Sequence, residues 1–543
     1  MTVLNPLHPP LRLPLRATRR ACALLALGLA CAGAPAAPAA PAGAGVFDPA
    51  AARPASAPAA ALKGNVVLTP KLLLQLVAGH SAEVAYSRAQ IEVAGELSKA
   101  EAALYEMVLF SSLRKDDTLR QRTVEERISS IATSKLDVLD ERLQTAEVGL
   151  RERLPSGADI SLSYRARQQR NNIIASASPS DTQYDGALVL QLRQPLLRGF
   201  GKSVIETDLK VARAEEKIAS LQYRQQLLKS GNDALALYWQ LYRALEVSRI
   251  REQALDYARR VEADTLARIE AGKLAASNRI EARSAVLVRE VEQIRAAQGV
   301  REVQSRLETL LNVPNLSEQI TLSVPANAAE ASRVEPTSLA QRYADALGRW
   351  PALGIARLRH EQAGIRLDYA RNQSLPALDL VLSNTRTGLS GSYGTARELT
   401  EGGHYPSWSI GVNLEVPLGG NQKARSQARA QDARVHQAEL EVDSIRSALA
   451  NDVRTRWEQA RAGVDEVERM RADIELRTEM LRIERVRYDA GMGLLSQLLL
   501  RESELTESRQ RLVDSLARMG QANDALLYAD GSLLDHYAIT LEH

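Results

Sequence analysis

The chain has 543 residues, 45% of them hydrophobic, 25% charged and only 4% aromatic, a balance leaning toward Ala, Leu, Glu, Arg and Gln that favours long helices over a compact mixed core. Its formal charge of +3 would suit an anionic partner, but the first 36 residues carry Arg12, Arg16, Arg19 and Arg20 with no acid and leave the remainder at about −1. A phosphate-binding stripe is thereby excluded, and no nucleic-acid partner is expected.

Residues 1–36 read as a secretory signal, with an arginine-containing start, an apolar run Ala21–Ala32, and small residues Ala34-Pro35-Ala36 suited to cleavage. The protein is therefore expected to be exported. Thr18-Arg19-Arg20 is too common an n-region feature to count as a twin-arginine signal. Both cysteines, Cys22 and Cys31, fall inside this leader, so no disulfide is expected in the mature body. Lipidation at Cys31 is the weaker reading, because Leu27 stands one place too early for the lipid-attachment pattern. The Ala/Pro-rich stretch 37–64 cannot bury enough apolar surface to order itself and reads as a linker. No later stretch reaches the roughly 18 uncharged apolar residues of a membrane helix.

A helix is predicted around Ala82–Ala103, and the segment after it has two readings. A strand could begin at Tyr105-Glu106-Met107 and run to Ser112; alternatively the strand is Ala158–Arg165, after a Leu154-Pro155 that resembles Leu375-Pro376. Strands at both places are favoured, with 113–145 as an extracellular or rim insertion; 113–155 has no counterpart later in the chain. In the next strand Leu188, Leu190 and Leu192 alternate with Val189, Gln191 and Arg193. It exits through a turn containing Pro195, Gly199 and Gly201. No proline interrupts 202–312, so a long helix can run to Gly272, where a left-handed cap reverses the chain, and a second helix returns to about Leu311.

The pattern then repeats at an offset of about 220 residues. Leu378, Leu380 and Leu382 suggest one strand, and Trp408, Ile410, Val412, Leu414 and Val416 alternate with polar or small neighbours in another. The turn Pro417, Gly419 and Gly420 answers the earlier one, and RYDAGMGLLS at Arg487–Ser496 answers RIEAGKLAAS at Arg268–Ser277. After Gly491 the helical pattern resumes to about Leu527. Each outgoing arm is about 68 residues, and so about 100 Å long as a helix. Apolar columns recur every seven residues, at Leu221, Leu228, Leu235 and Tyr242 and again at Val453, Ala460, Val467, Ile474, Leu481 and Tyr488. Such a stripe keeps one seam against a partner helix, which predicts coiled-coil packing. Two repeats follow, 65–325 and 335–530, with a tail 531–543.

A strand with one oily and one wettable face is ordinarily half of a soluble sheet. Three features point instead to a membrane barrel: the export signal, strands long enough to cross a bilayer when tilted, and Tyr184, Tyr405 and Trp408 near strand ends. About four strands per chain, or a few more if the first half adds a hairpin, cannot close such a barrel, since the smallest use about eight and an open edge in lipid leaves backbone groups unpaired. Several copies must close it together. The expected fold is mainly α with a β-barrel part.

The strand exits QPLLRGFG (Gln194–Gly201) and VPLGG (Val416–Gly420), with the two tip sequences, resemble the TolC family of outer-membrane efflux and type I secretion channel proteins over nearly all of the chain after residue 65. The resemblance implies a homotrimer with a twelve-stranded barrel in outer-membrane lipid, a helical tunnel through the periplasm, and tips that meet a periplasmic adaptor coupled to an inner-membrane pump. The matching adaptor contacts are Arg268, Gly272, Leu274, Ser277, Arg487, Tyr488, Gly491, Leu494 and Ser496, against the plainer reading of caps and coiled-coil packing. Asp489 paired with Arg485 or Arg487 is the candidate entrance gate, since constrictions commonly use charged rings.

No chemistry competes with that reading. Gly201-Lys202-Ser203 resembles the end of a phosphate loop, but Leu196 stands where that motif needs glycine. The seven histidines lack metal-ligand spacing, so no metal, cofactor or enzyme activity is expected. The alternative is an exported coiled-coil scaffold or adhesin-like surface protein; a secreted enzyme lacks any supporting constellation.

Overall fold

The computed structural model describes residues 64–128, 136–177, 181–312, 320–325, 327–331 and 338–539. The signal and lipidation readings on 1–36 lie outside these residues, as does nearly all of the 37–64 linker reading. The first strand, β1 (Gly64–Val67), leads into α1 (Pro70–His80) and α2 (Ala82–Ala102). Proline at the first helical position and Thr69, whose hydroxyl accepts from the Leu72 amide at 3.2 Å, fix the start of α1.

Four strands follow: β2 (Val108–Gln121), β3 (Val138–Arg153), β4 (Asp159–Asn171) and β5 (Thr182–Pro195). The long helix α3 (Thr207–Glu270) descends from them and α4 (Ser277–Leu311) returns to β6 (Ile320–Ser323), which pairs parallel to β1. The second half supplies α5 (Leu339–Arg349), α6 (Pro351–Gln373), β7 (Ala377–Ser390), α7 (Tyr393–Glu401), β8 (Tyr405–Glu415), α8 (Gln422–Asp489) and α9 (Leu495–Ala529). Among the described residues no helix is long and apolar enough to cross a membrane.

No proline interrupts the arms, which end at the glycine-capped tips. At 64 and 68 residues, α3 and α8 each extend about 100 Å. Leu228, Leu235 and Tyr242 of the first seven-residue column are buried, with Leu221 half-buried. In the second, Val453, Ala460, Val467 and Tyr488 are buried while Ile474 and Leu481 are half-buried. The main core lies partway along the arms, where α1, α3 and α9 meet around Leu73, Leu228, Leu235 and Trp239. A Cβ at Gly231 would stand 2.8 Å from the Leu74 side chain, so α1 crosses α3 where the latter has no side chain. Beside this core Asp524, almost fully buried, accepts from the Trp239 indole at 2.7 Å and the Tyr537 hydroxyl at 2.6 Å. Burial pushes its carboxyl up to about 6, the two hydrogen bonds offsetting only part of that cost.

The large sheet corrects the expected strand count. It has six antiparallel strands in the order β2-β3-β4-β5-β7-β8, where about four were expected, or a few more with a first-half hairpin. The extra pair comes from the segment read as an insertion: β2 and β3 pair from Val108↔Arg151 to Gln121↔Val138, occupying most of 113–155 with strand. Alternation in this segment is broken by Arg114, Lys115, Asp116 and Asp117, which hid the strand from a hydrophobic-periodicity reading. Both first-half strands favoured from sequence are present, each longer than expected. The sheet joins the two halves through β5 and β7, where Arg193 reaches Asp379 at 2.6 Å.

Register places the oily residues in common rows. Leu109, Leu150, Leu162 and Leu190 stand opposite one another across β2 to β5, and the row continues through Asn384 to Trp408. The next row toward the helices carries Ile160, Leu192, Leu382 and Ile410. On the other face, Phe110, Gly149, Ser163, Val189, Thr385 and Ser407 form a mostly small or polar row. The apolar face is largely bare: Leu109 is 69% exposed, Trp408 76% and Ile410 62%. Farther from the helices α7 lies on this face, where Gly186 and Gly388 leave room for it and the Thr400 hydroxyl donates to the Gly186 carbonyl at 3.1 Å.

Candidate functional site

Two regions hold the residues singled out in the sequence: the strand-to-helix exits and the hairpin tips. At the first exit Gly199 and Gly201 adopt φ of 82° and 97°. The Gly199 amide donates to Asn372 Oδ1 at 2.8 Å and the Gly201 amide to the Ser156 carbonyl at 3.1 Å, so the exit is tied to the base of β4 and the end of α6. Lys202, the phosphate-loop lookalike, sits 3.7 Å from Glu206 on its own helical turn. At the second exit the Gly420 amide closes a turn on the Pro417 carbonyl at 3.0 Å. There Gly420 (φ 76°) and Asn421 (φ 50°) are left-handed, and Gly419 is not. Asparagine tolerates that conformation.

Each tip is capped as its glycine predicts. Gly272 and Gly491 are left-handed at φ of 71° and 76°. The following amides, of Lys273 and Met492, donate back to the carbonyls of Arg268 and Arg487, both at 2.9 Å. That pattern satisfies two otherwise orphaned carbonyls and turns the chain in a few residues.

The tips touch each other, and Arg268 is the link. From the first hairpin its guanidinium donates to Asp489 at 2.8 Å and to the Tyr488 carbonyl at 3.3 Å, and it lies 4.8 Å above the Tyr488 ring. Its own helix holds it from the other side, through Asp264 at 3.0 Å. Burial opposes the Arg268 charge, but the hydrogen-bonded Asp264 and Asp489 outweigh it and raise the group above its ordinary value. Tyr488 is buried among Val261, Ala282, Leu495 and Leu498, with its hydroxyl 3.3 Å from that of fully buried Thr265. Arg485 reaches across in the opposite sense, 5.8 Å from the Tyr257 ring, and lies 3.5 Å from Asp489. Burial raises the Tyr257 phenol above its ordinary value, with Arg485 pulling the other way.

The nine tip residues therefore divide into two sets. Arg268, Leu274 and Tyr488 face into the contact between hairpins, whereas Gly272, Ser277, Arg487, Gly491, Leu494 and Ser496 are exposed. Of the two arginines expected to hold Asp489, only Arg485 does so; Arg487 points to Glu484 at 3.7 Å. The stronger partner is Arg268, 221 residues away in sequence. Thr265 and Tyr257 were not legible in the sequence as tip residues, and the only signal that could have found them is their place on the same arm as Arg268, about one and about three turns before it.

Residues 343–532 match the outer membrane efflux protein family. The chain is 26% identical over 397 residues to Protein CyaE of Bordetella pertussis, covering 72% of this chain and 79% of that protein. It is 24% identical over 327 residues to the outer membrane efflux protein BepC of Brucella suis, covering 59% and 67%. In fold it is similar to the outer membrane protein VceC of Vibrio cholerae, with a TM-score of 0.57 at 17% identity over 85% of this chain and 96% of that one.

Proposed function

Residues 343–532 match the outer membrane efflux protein family, and we propose that the chain belongs to that family and is a passive exit duct for efflux or type I secretion, set in the outer membrane with its helical part in the periplasm. The observation that carries this reading is the junction of two hairpins about 100 Å long with an antiparallel sheet whose apolar face is bare and whose edge strands are unpaired. Backbone edges cannot stand open in hydrocarbon, so copies must share one wall. A homotrimer meets that need. The resemblance implies twelve strands, four from each of three copies, whereas each copy carries six in one sheet.

Such a duct catalyses nothing and takes its drive from elsewhere. The partners are a periplasmic adaptor and an inner-membrane pump. The exposed tip residues Gly272, Ser277, Arg487, Gly491, Leu494 and Ser496 are the adaptor surface, while Arg268, Arg485 and Asp489 hold the entrance closed by tying one hairpin to the other. The matched order of helix, strands, long helix, tip and returning helix in the two halves, with the β2–β3 hairpin extra in the first, supports an internal duplication.

The test is planar-bilayer recording of the purified oligomer, alongside detergent gels with and without heating. Discrete conductance steps from a heat-dissociable oligomer are expected. A water-soluble monomer that neither binds micelles nor conducts would overturn the duct in favour of an exported scaffold.

A further inference from the structure

We propose that six strands of each copy, and not four, enter the membrane wall, with the free edge of β2 pairing antiparallel to the free edge of β8 in a second copy, so that a trimer closes an eighteen-stranded barrel. This rests on the trimeric duct reading above.

The first argument is which edges are free. For β4 to meet a neighbour it must release β3, which pairs with it without a break from Glu141↔Asn171 to Arg153↔Asp159. Exposing that ladder to hydrocarbon costs several kcal/mol per unpaired group, whereas β2 and β8 have nothing to release. Direction agrees. Strands alternate through the order β2-β3-β4-β5-β7-β8, so β2 leaves the helical end and β8 returns to it, and the edges of adjacent copies meet antiparallel. Their lengths, 14 and 11 residues, both suffice for the roughly 9–11 residues a tilted strand needs to cross a bilayer.

The second argument is chemical. A hairpin standing in the lumen or in water would have no reason to match the lipid-facing rows of its neighbours. Yet Leu109 pairs with Leu150 on the face and at the level of Leu162 and Leu190, and on the same face Leu113 pairs with Ala146 at the level of Ala166 and Gly186. Leu109 and Leu113 are 69% and 80% exposed, so that oily row ends bare at the β2 edge just as it ends bare at Trp408 on β8. The opposite face at this level carries Ser112, Thr145 and Glu147, which suit a water-filled bore. Beyond Leu113 the hairpin changes character. Arg114, Lys115, Asp116 and Asp117 on β2 face Thr145, Gln144, Leu143 and Arg142 on β3, a composition for the aqueous side of the membrane.

Barrel width follows strand number. With strands about 4.7 Å apart and tilted about 40°, eighteen strands enclose a barrel about 35 Å across between backbones, against about 23 Å for twelve. Walls of 16–18 strands characteristically leave an aqueous channel.

Cysteine pairs in the full chain test the closure. One cysteine replaces Leu109, Ser111 or Leu113 and the other Trp408, Ile410 or Val412, and mild oxidation in membranes is read on denaturing, non-reducing gels. Opposed residues of antiparallel strands lie within disulfide range, so one register among the nine pairs should give covalent dimers and trimers, with the parent chain giving none. A second grid pairs the same β8 positions with Ile160, Leu162 or Tyr164 on β4. Cross-links between copies in that grid, or an assembled trimer that cross-links in neither, overturn the eighteen-stranded wall and leave the duct intact. A chain that does not oligomerise overturns the duct itself. Electron cryomicroscopy of the oligomer in lipid nanodiscs gives an independent count: eighteen strands support the proposal, and twelve with β2 and β3 outside the wall refute it.

Discussion

Replacing Arg268 with alanine should loosen the contact between the two hairpin tips by about 2 kcal/mol. Three of its contacts cross between hairpins: the carboxylate of Asp489, the Tyr488 carbonyl and the Tyr488 ring. The ion pair is 24% and 46% exposed on its two sides, so solvent screening holds it to about 0.5–1 kcal/mol. The cation over the ring adds about 0.5–1 kcal/mol, and the carbonyl bond, long at 3.3 Å, about 0.5 kcal/mol. The Asp264 bond is internal to α3 and does not enter. If tip separation opens the entrance, about 2 kcal/mol corresponds to roughly a 30-fold rise in the ratio of open to closed states. Single-channel recording reads this directly as open fraction. Arg268→Lys, which keeps the charge without the planar fork, should fall between wild type and alanine. Asp489→Ala should open less than Arg268→Ala, because the Tyr488 contacts survive. An Arg268→Ala channel whose open fraction stays within about threefold of wild type, or a double variant whose effects simply add, would refute the reasoning.

Asp524 predicts a pH dependence. The unfolded carboxyl titrates near its ordinary value of about 3.9 and the folded one at about 6, so the native state binds the extra proton between those values and stability falls as pH rises through that window. The loss is about 3 kcal/mol once pH exceeds 6. Asp524→Asn can still accept from Trp239 and donate to the Tyr537 oxygen, so melts from pH 4 to 7.5 should show the variant gaining on wild type toward neutral pH; parallel curves would contradict it. Gly520→Val should lower the apparent Tm by overpacking, about 1–3 kcal/mol, since a Cβ there collides with the buried Trp239 indole. Gly299→Ala, on an open helix surface, should raise it slightly. Ile410→Arg, on the bare apolar face, should cost about 2–4 kcal/mol per copy if that face meets the bilayer core, seen as loss of the heat-dissociable oligomer on gels. Ser409→Arg, one residue away on the opposite face, should assemble normally.

Much of this architecture is written locally. Absence of proline from 202–312 and after Pro417, seven-residue columns ending at Tyr242 and Tyr488, and glycines at 272 and 491 together specify the arms and their reversal, and α3, α4, α8 and α9 follow them closely. Each of those signals operates within a few helical turns, where neighbours in sequence are neighbours in space. The strand around Trp408–Leu414 was legible for the same reason, through a period of two.

Other features had no local signature. Strands β2 and β3 are pinned by cross-strand pairing rather than by their own alternation, which charged residues interrupt, so periodicity under-counted the sheet. The partner of Asp489 proved to be Arg268 because antiparallel hairpins bring both tips to one end of the molecule; within α8 alone, Arg485 and Arg487 were the nearer choices. Trp239, Asp524 and Tyr537 likewise meet only when α3, α9 and the C-terminal segment pack together. Sequence by itself determined periodicity, capping and the places where the chain turns, because those depend on backbone conformation and nearest neighbours. Tertiary structure alone decided which edge pairs with which and which charge finds which, because those depend on distances between segments that covalent order leaves open.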